Sequence, residues 1–187
     1  MDRQTAIAFC REKCLKDTTV RHLISVEGVM RALAGRFGED QDLWALTGLF
    51  HDVDQDHTGD DGAGHAEIAA GWLREAGVDE RVVSGVLAHA YEAYRTDLMS
   101  RAIVHADAVA GLLVASALVR PEKAVGMKVS SVKKKLKEKA FAPGVNRDEI
   151  TDVEDSIGLP LDEFLAVSIG GLQTVAPEID LAPLTHN

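Results

Sequence analysis

The sequence predicts an all-α protein built as a single bundle of about seven to nine helices. Apolar residues recur at the helical period along most of the chain, and no segment alternates apolar and polar residues as a half-buried strand would. The composition agrees, because 46% of the residues are hydrophobic, only 5% are aromatic, and alanine, leucine, valine and glutamate are abundant. A chain of 187 residues is of ordinary size for one domain with a buried core.

The predicted helices end near glycines, prolines or capping residues. The first holds Cys10 and Cys14, four residues apart on one face, which we interpret as reduced packing residues because no second cysteine or histidine pair lies nearby. Ser130 or Ser131 is expected to cap a lysine-rich helix, and Asn146-x-x-Glu149 resembles a capping arrangement for the next helix. The apolar stripes that define the other helices cover residues 22–33, 42–51, 65–76, 82–89, 98–119 and 161–175.

We expect one domain over residues 1–176, with a core at about 20–120 and a C-terminal helical extension at 121–176. Residues 177–187 are expected to form a loose tail. The acidic segment DVDQDHTGDDGAG, residues 52–64, is predicted to be a loop from its composition. Its carboxylates are interpreted either as an attraction for a cation or as solvated surface.

The charge and hydropathy of the chain exclude several classes of partner. A formal net charge of −10 argues against general nucleic-acid binding, which usually requires a basic face. The longest apolar run, at about residues 108–119, is shorter than a bilayer span, so no membrane-spanning helix is predicted. The N-terminal segment MDRQTAIAFCREKC carries charges where a signal peptide needs an unbroken apolar stretch, which predicts a cytoplasmic protein. No pattern in the chain indicates an oligomeric state.

The placement of the histidines is the most informative feature of the sequence. Four of the seven lie on or beside apolar helix stripes: His22, His51, His65 and His89. A buried imidazole costs free energy unless it is paired or ligated. Asp107 adds a carboxylate in the middle of the apolar stripe RAIVHADAVAGLLVASAL, where it needs a cationic partner. These imidazoles and this carboxylate are most easily satisfied around one metal site.

Each of these histidines also has a simpler interpretation. His51-Asp52 alone is a dipeptide that occurs by chance in many chains. His65 is placed to cap a helix, and His89 can be hydrogen-bonded to a backbone carbonyl. The remaining histidines are interpreted as structural or exposed: His57, His105 and His186.

The order His22…His51-Asp52…Asp107, with each member on or next to a helix, resembles the H…HD…D signature of the HD superfamily of metal-dependent phosphohydrolases. Three segments together resemble a small branch of that superfamily described only as predicted hydrolases: HLISVEGVMRALAGRFGEDQDLWALTGLFHDVD, ADAVAGLLVASALVRPEK and KVSSVKKKLKEKAFAPGVNRDEI. The similarity spans about residues 2–175.

The resemblance implies hydrolysis of a small phosphate ester or nucleotide by a metal-activated water, with Asp52 and His51 as catalytic residues. The implied ligands are His22, His51, Asp52 and Asp107 for one divalent ion, and Asp52, His65 and His89 for a second. The alternative is a single ion, with His65 and His89 contacting the phosphate. Mixed nitrogen and oxygen ligands suit several metals, of which the family pattern favours Fe or Mn over Zn, Ni, Co or Mg.

The implied partner is a small anionic phosphate compound, and basic residues in the C-terminal half are candidates for holding it. These are Lys133, Lys134 and Arg147, although a solvated helix face is the simpler interpretation of each. In the branch an asparagine commonly follows the histidine that matches His89, whereas this chain reads AHAYEAY. Tyr91 or Glu92 would have to replace any substrate contact of that asparagine.

Two other functions fit the same residues. A few dinuclear-iron members of the superfamily use dioxygen to cleave small polyols or phosphonates, so oxidation is one alternative. The other is a non-catalytic module that binds a nucleotide or another anion in the same pocket. Metal content together with activity distinguishes the three.

Overall fold

Helices are the regular secondary structure of the described part of the chain, which has no strand, and this confirms the predicted all-α fold class. The computed structural model describes residues 1–58 and 62–183, and these contain ten α-helices and no strand. Three short 3-10 turns occur at Gln55–His57, Glu92–Tyr94 and Ala176–Ile179. The helices are α1 Arg3–Lys13, α2 Asp17–Phe37, α3 Gln41–Phe50, α4 Glu67–Glu75, α5 Glu80–Ala90, α6 Leu98–Leu118, α7 Val129–Lys137, α8 Asp148–Thr151, α9 Val153–Ile157 and α10 Leu161–Val175.

α2 packs against α3, α6 and α10, and two glycines, one on α3 and one on α2 itself, allow close approach. A Cβ on Gly48 of α3 would lie 2.9 Å from the Val26 carbonyl oxygen and 3.0 Å from the Glu27 nitrogen. A Cβ on Gly28 of α2 would lie 2.6 Å from the carbonyl oxygen of Gly171 in α10. Because backbone atoms cannot move aside cheaply, these positions require glycine for the observed helix spacing. The contact at Gly48 places the C-terminal end of α3 directly beside α2.

α1 is attached to α2 by a partly buried ion pair and to the end of α3 by thiol contacts. Arg3 Nε donates to Glu27 Oε1 at 2.5 Å, and the Glu27 side chain is only 2% exposed. Cys10 Sγ donates to the Leu49 carbonyl oxygen at 3.4 Å, and Cys14, just beyond the end of α1, makes a longer bond to the chain after α3. Burial raises the pKa of both thiols, to about 11 for Cys14. Both cysteines therefore act as packed, hydrogen-bonded thiols.

α6 is the longest apolar helix and lies between α2 and α5. By length and composition alone it is apolar enough to cross a membrane. Within the described structure, 67% of its most apolar window is buried, and its middle carries Asp107. The core of the bundle therefore accounts for its composition.

The C-terminal helices differ from the prediction in their boundaries. α7 begins at Val129, so Ser130 and Ser131 lie in its first turn, and the prediction that one of them caps it is wrong. The segment predicted as one helix after Asn146 is broken at Asp152 into the short helices α8 and α9. This break raises the helix count above the predicted range.

The chain after α10 is packed rather than loose. Ile179 and Leu181 are 3% exposed, and the Leu181 carbonyl oxygen accepts a hydrogen bond from the Ala124 nitrogen at 3.1 Å. Up to Leu181, therefore, this part of the chain packs on the bundle, unlike the loose tail that its composition predicts. Residues 184–187 of that predicted tail, including His186, lie outside the described residues.

Candidate metal centre

The six side chains predicted as metal ligands lie together where α2, α3, α5 and α6 meet. The ring centroids of His22 and His51 are 5.1 Å apart, and those of His51 and His89 are 4.9 Å apart. The close packing at Gly48 is what brings the end of α3 to α2. The six residues are His22 on α2, His51 and Asp52 at the end of α3, His65 in the turn before α4, His89 near the end of α5, and Asp107 in the middle of α6.

One half of this cluster is centred on Asp107. Its Oδ1 lies 2.9 Å from His22 Nε2 and 3.5 Å from His51 Nε2. His51 Nε2 lies 3.6 Å from Asp52 Oδ2, so His51 faces both carboxylates. One nitrogen or oxygen atom of each of His22, His51 and Asp107 lies within 4.8 Å of the others, close enough to share a cation.

The other half is centred on Asp52. Its Oδ1 lies 3.2 Å from His65 Nε2 and 3.1 Å from His89 Nε2. The ring centroids of these two histidines are 5.5 Å apart, and the rings stand nearly perpendicular to each other. Asp52 therefore lies between the imidazole of His51 on one side and those of His65 and His89 on the other.

Three polar atoms of the cluster are buried without a hydrogen-bond partner among the described residues: His51 Nε2, Asp52 Oδ1 and His89 Nδ1. The Nε2 atoms of His65 and His89 lie 3.2 and 3.1 Å from Asp52 Oδ1, as charged neighbours. Buried polar atoms are almost always satisfied, so such a group needs a further partner. Ligands held about 2.1 Å from one ion lie about 3.0–3.4 Å from each other, close to the separations found here. The donor set and its spacing fit a divalent cation.

Hydrogen bonds at Nδ1 fix the orientation of two imidazole rings, those of His51 and His65. His51 is fully buried, and its Nδ1 donates to the Gly48 carbonyl oxygen at 2.8 Å. His65 Nδ1 donates to Asp54 Oδ1 at 3.0 Å, and Asp54 Oδ2 accepts from the Ala69 nitrogen at 2.9 Å. A proton held on Nδ1 leaves Nε2 free to act as a ligand, which is how outer residues usually support metal-binding histidines.

Asp54 is the residue of the candidate site that the sequence analysis missed. Its side chain has no solvent exposure, although the composition of residues 52–64 predicts a solvated loop. The available signal was its position two residues after Asp52, within the HDVD end of the segment that carries the family resemblance.

The electrostatics of the cluster favour ionised Asp52 and Asp107 beside protonated His22 and His65. Burial alone would raise the pKa values of Asp52 and Asp107, but the surrounding histidines lower both well below the usual range. Burial lowers the pKa of His22, but Asp107 raises it more. Asp52 and Asp54, on its two sides, raise the pKa of His65 to about 10. A divalent cation would take over the neutralising role that protons play here.

Two further residues of the acidic segment, Asp56 and His57, form hydrogen bonds with the backbone at the end of α1 and just after it. Asp56 has a side chain only 2% exposed, and it accepts hydrogen bonds from the backbone nitrogens of Leu15 and Lys16 at 2.9 and 3.0 Å. His57, which is exposed, donates through Nε2 to the Lys13 carbonyl oxygen at 2.6 Å. The acidic loop is therefore partly a structural connection. Its two further carboxylates, Asp60 and Asp61, lie outside the described residues.

The predicted substrate-binding residues do not join the cluster. Lys133 is paired with Asp162 at 2.5 Å, and Lys133 and Lys134 line a cavity to which none of the six cluster residues contributes. The Arg147 guanidinium donates to backbone carbonyl oxygens at the end of α7 and in the α7–α8 connection, including those of Leu136 and Val145, each at 3.0 Å. All three of its nitrogens are engaged this way. Its placement supports a structural role rather than anion binding.

The fold and the cluster together define an all-helical protein with a site suited to one or two divalent ions. The family model of the HD domain matches residues 19–112, half of the chain, and this range contains all six residues of the cluster. The chain belongs to the HD-domain family, as its signature indicates. Members of this family are generally metal-dependent hydrolases. No curated protein and no solved structure gives a significant match to the chain.

Proposed function

We propose that this protein is a metal-dependent phosphohydrolase that cleaves a small phosphate ester or nucleotide at the His/Asp cluster. The observation that carries the proposal is the convergence of six imidazole and carboxylate side chains, three of which present buried atoms without a hydrogen-bond partner among the described residues. Such a set is costly to maintain unless it binds something. The proposed partner is small and anionic, and neither nucleic acid nor a membrane is part of the proposal.

The residues divide into two overlapping sets of ligands. His22, His51 and Asp107 would hold a first ion, with Asp52 at its edge. Asp52 would bridge to a second ion held with His65 and His89. When bound, a divalent cation supplies a nucleophilic hydroxide at neutral pH and polarises the phosphoryl group. Nitrogen and oxygen ligands suit Fe or Mn, which we propose over Zn, Ni, Co or Mg.

The protein's own contribution is orientation and charge. The hydrogen bonds from Nδ1 of His51 and of His65 hold their Nε2 atoms towards the carboxylates. Ionised Asp52 and Asp107 concentrate negative charge in a largely buried position, which favours a cation over water. Asp52 is placed between the two sets, so it can accept a proton or orient a nucleophile next to either one.

The test combines elemental analysis, phosphate release and one substitution. We expect the purified protein to contain Fe or Mn and, loaded with Mn, to release phosphate from members of a broad panel of phosphate esters. Asp52→Asn should lose both bound metal and turnover while the helical circular dichroism is retained, because an amide is a poor ligand. The control is Asp155→Asn, the same change at an exposed position on α9, which should alter neither.

Two results would contradict the proposal. Full metal occupancy and undiminished phosphate release in Asp52→Asn would remove the cluster from the reaction. An iron-loaded protein that consumes dioxygen and releases no phosphate would favour the oxygenase alternative, which the imidazoles on both sides of Asp52 also fit.

A further inference from the structure

A groove between α2 and α6 opens beside the metal centre. It encloses a cavity of about 380 Å³, and apolar side chains provide most of its lining. This volume is at the lower end of the range for small-molecule sites, about 300–1,000 Å³. We call it the α2–α6 groove; its apolar lining is Val114, Ala115 and Leu118 of α6, with Ile179 and Leu181 from the chain after α10.

The groove is continuous with the His/Asp cluster through His22, which belongs to both. His22 contacts Asp107 at 2.9 Å. One helical turn away from these two residues, Thr18 on α2 and Gly111 on α6 also line the groove. Gly111, one helical turn after Asp107 on α6, adds no side chain to this end of the groove. A Cβ at that position would meet only Val145 Cγ2, at 3.4 Å.

The charges on the groove do not suit a second anionic group. Arg21 is the one lysine or arginine on its described lining. Its Nε donates to Asp17 at 2.7 Å, and its Nη1 lies 2.8 Å from Asp180, so its charge is already balanced. A ligand with one anionic end would therefore place that end at the metal centre and an uncharged, apolar part in the groove. Leu118, 66% exposed at the far end, is available for such a contact.

We propose that the α2–α6 groove binds the alcohol part of a phosphate monoester, and that this part is a small alkyl or aryl group. The inference rests on the proposed function, because it assumes that the phosphate binds at the cluster. It narrows that function by favouring simple apolar esters over nucleotides, whose sugars and bases carry many polar groups. Burial of the apolar group then selects the substrate, and the metal centre binds the phosphate common to all esters.

The experiment measures binding, so it does not depend on turnover. Mn-loaded protein is titrated calorimetrically with inorganic phosphate and with methyl-, butyl-, hexyl- and phenylphosphonate. Burying a methylene should tighten binding by about fourfold for each one added, until the groove is full. Inorganic phosphate and methylphosphonate report on the metal centre alone.

A variant in which a larger side chain fills the groove provides the matched comparison for the phosphonate titrations. Ala115 is half-buried on the lining, so Ala115→Phe should bind hexylphosphonate no more tightly than methylphosphonate while retaining its metal content. Ala166→Phe makes the same change at an exposed position of α10 and should keep the full chain-length dependence.

The outcomes separate this inference from the proposed function. Binding of phosphate and methylphosphonate without any gain from longer chains would overturn the groove's role and leave the function standing. If metal-loaded protein binds neither phosphate nor any phosphonate, the proposed function fails and the inference falls with it. Sedimentation is the third measurement: a dimer that becomes monomeric in Ala115→Phe would show that the groove is covered by a second copy of the chain.

Discussion

Replacement of Asp54 by asparagine should weaken metal binding without touching a metal ligand. The Asp54 side chain is fully buried, and each of its oxygens accepts one hydrogen bond, from His65 Nδ1 at 3.0 Å and from the Ala69 nitrogen at 2.9 Å. An amide has only one acceptor oxygen, so one of the two donors would face an NH₂ group. If that donor is His65, the imidazole must shift its proton to Nε2, and this nitrogen can no longer bind an ion.

The expected losses of metal affinity and of stability in Asp54→Asn follow from these two hydrogen bonds. Loss of an outer partner of a metal-binding histidine usually lowers metal affinity by about 10–100-fold. Loss of one charged hydrogen bond should also reduce the free energy of unfolding of the metal-free protein by about 1.5–3 kcal/mol. We therefore expect Asp54→Asn to fold, to be measurably less stable, and to bind the ion next to His65 weakly.

Calorimetric titration of the metal-free variant with Mn, in competition with a chelator, measures the affinity, and urea unfolding measures the stability. Asp56→Asn is the matched control, because it makes the same change two residues later, where the carboxylate binds Leu15 and Lys16 rather than a histidine. It should lose stability but keep its metal. Equal metal affinity in Asp54→Asn and the wild type, or equal weakening in both variants, would refute the orienting role.

Three further predictions concern the second ion, pH and packing. His89→Ala should lower the metal content from near two equivalents towards one without a comparable loss of thermal stability; a wild type that never exceeds one equivalent in excess Mn would contradict this. In metal-free protein the pKa of His65 is raised from 6.5 to about 10, so its stabilising contribution is complete below pH 6.5 and lost as pH rises towards 10. Thermal melts across that window should show the decline, and His65→Gln should flatten it. Gly48→Ala would place a Cβ 2.9 Å from the Val26 carbonyl oxygen and should cost about 1–3 kcal/mol in urea unfolding, whereas Gly170→Ala, with open space around it, should not destabilise.

The helices were largely predictable because their signals are local. The last helix matches its predicted bounds, since Pro160 precedes its first residue and its apolar period is unbroken up to Val175. α2 begins at Asp17, earlier than the apolar stripe that starts at His22, because its first turn is polar. The N-cap residue of the lysine-rich helix is Lys128, whose side chain makes no capping hydrogen bond. The two serines that follow it therefore gave a wrong prediction of the N-cap.

The sequence predicted that the candidate ligands come together, but it did not predict which residues hold them in place. A histidine on an apolar stripe signals burial by itself, and the order of the motif supplied the grouping that the structure shows. Composition gives no signal that Asp54 and Asp56 are buried, because an acidic, glycine-rich segment has the same composition whether its carboxylates are solvated or buried; for Asp54 the only cue was its position two residues after Asp52. Arg147 looked like an anion-binding residue for the related reason that sequence does not show which carbonyl oxygens surround a guanidinium.

The attachment of α1 has a consequence for where this domain can be cut. The family match starts at residue 19, yet the stretch that carries Asp52 and Asp54 is held from outside that range, through the contacts of Cys10 with Leu49 and of Asp56 with the backbone at Leu15. A fragment trimmed to residues 19–112 would keep every candidate ligand and lose these supports. We expect such a fragment to leave the ligand-bearing turn poorly ordered, so the folding unit around the ion is larger than the segment by which the family is recognised.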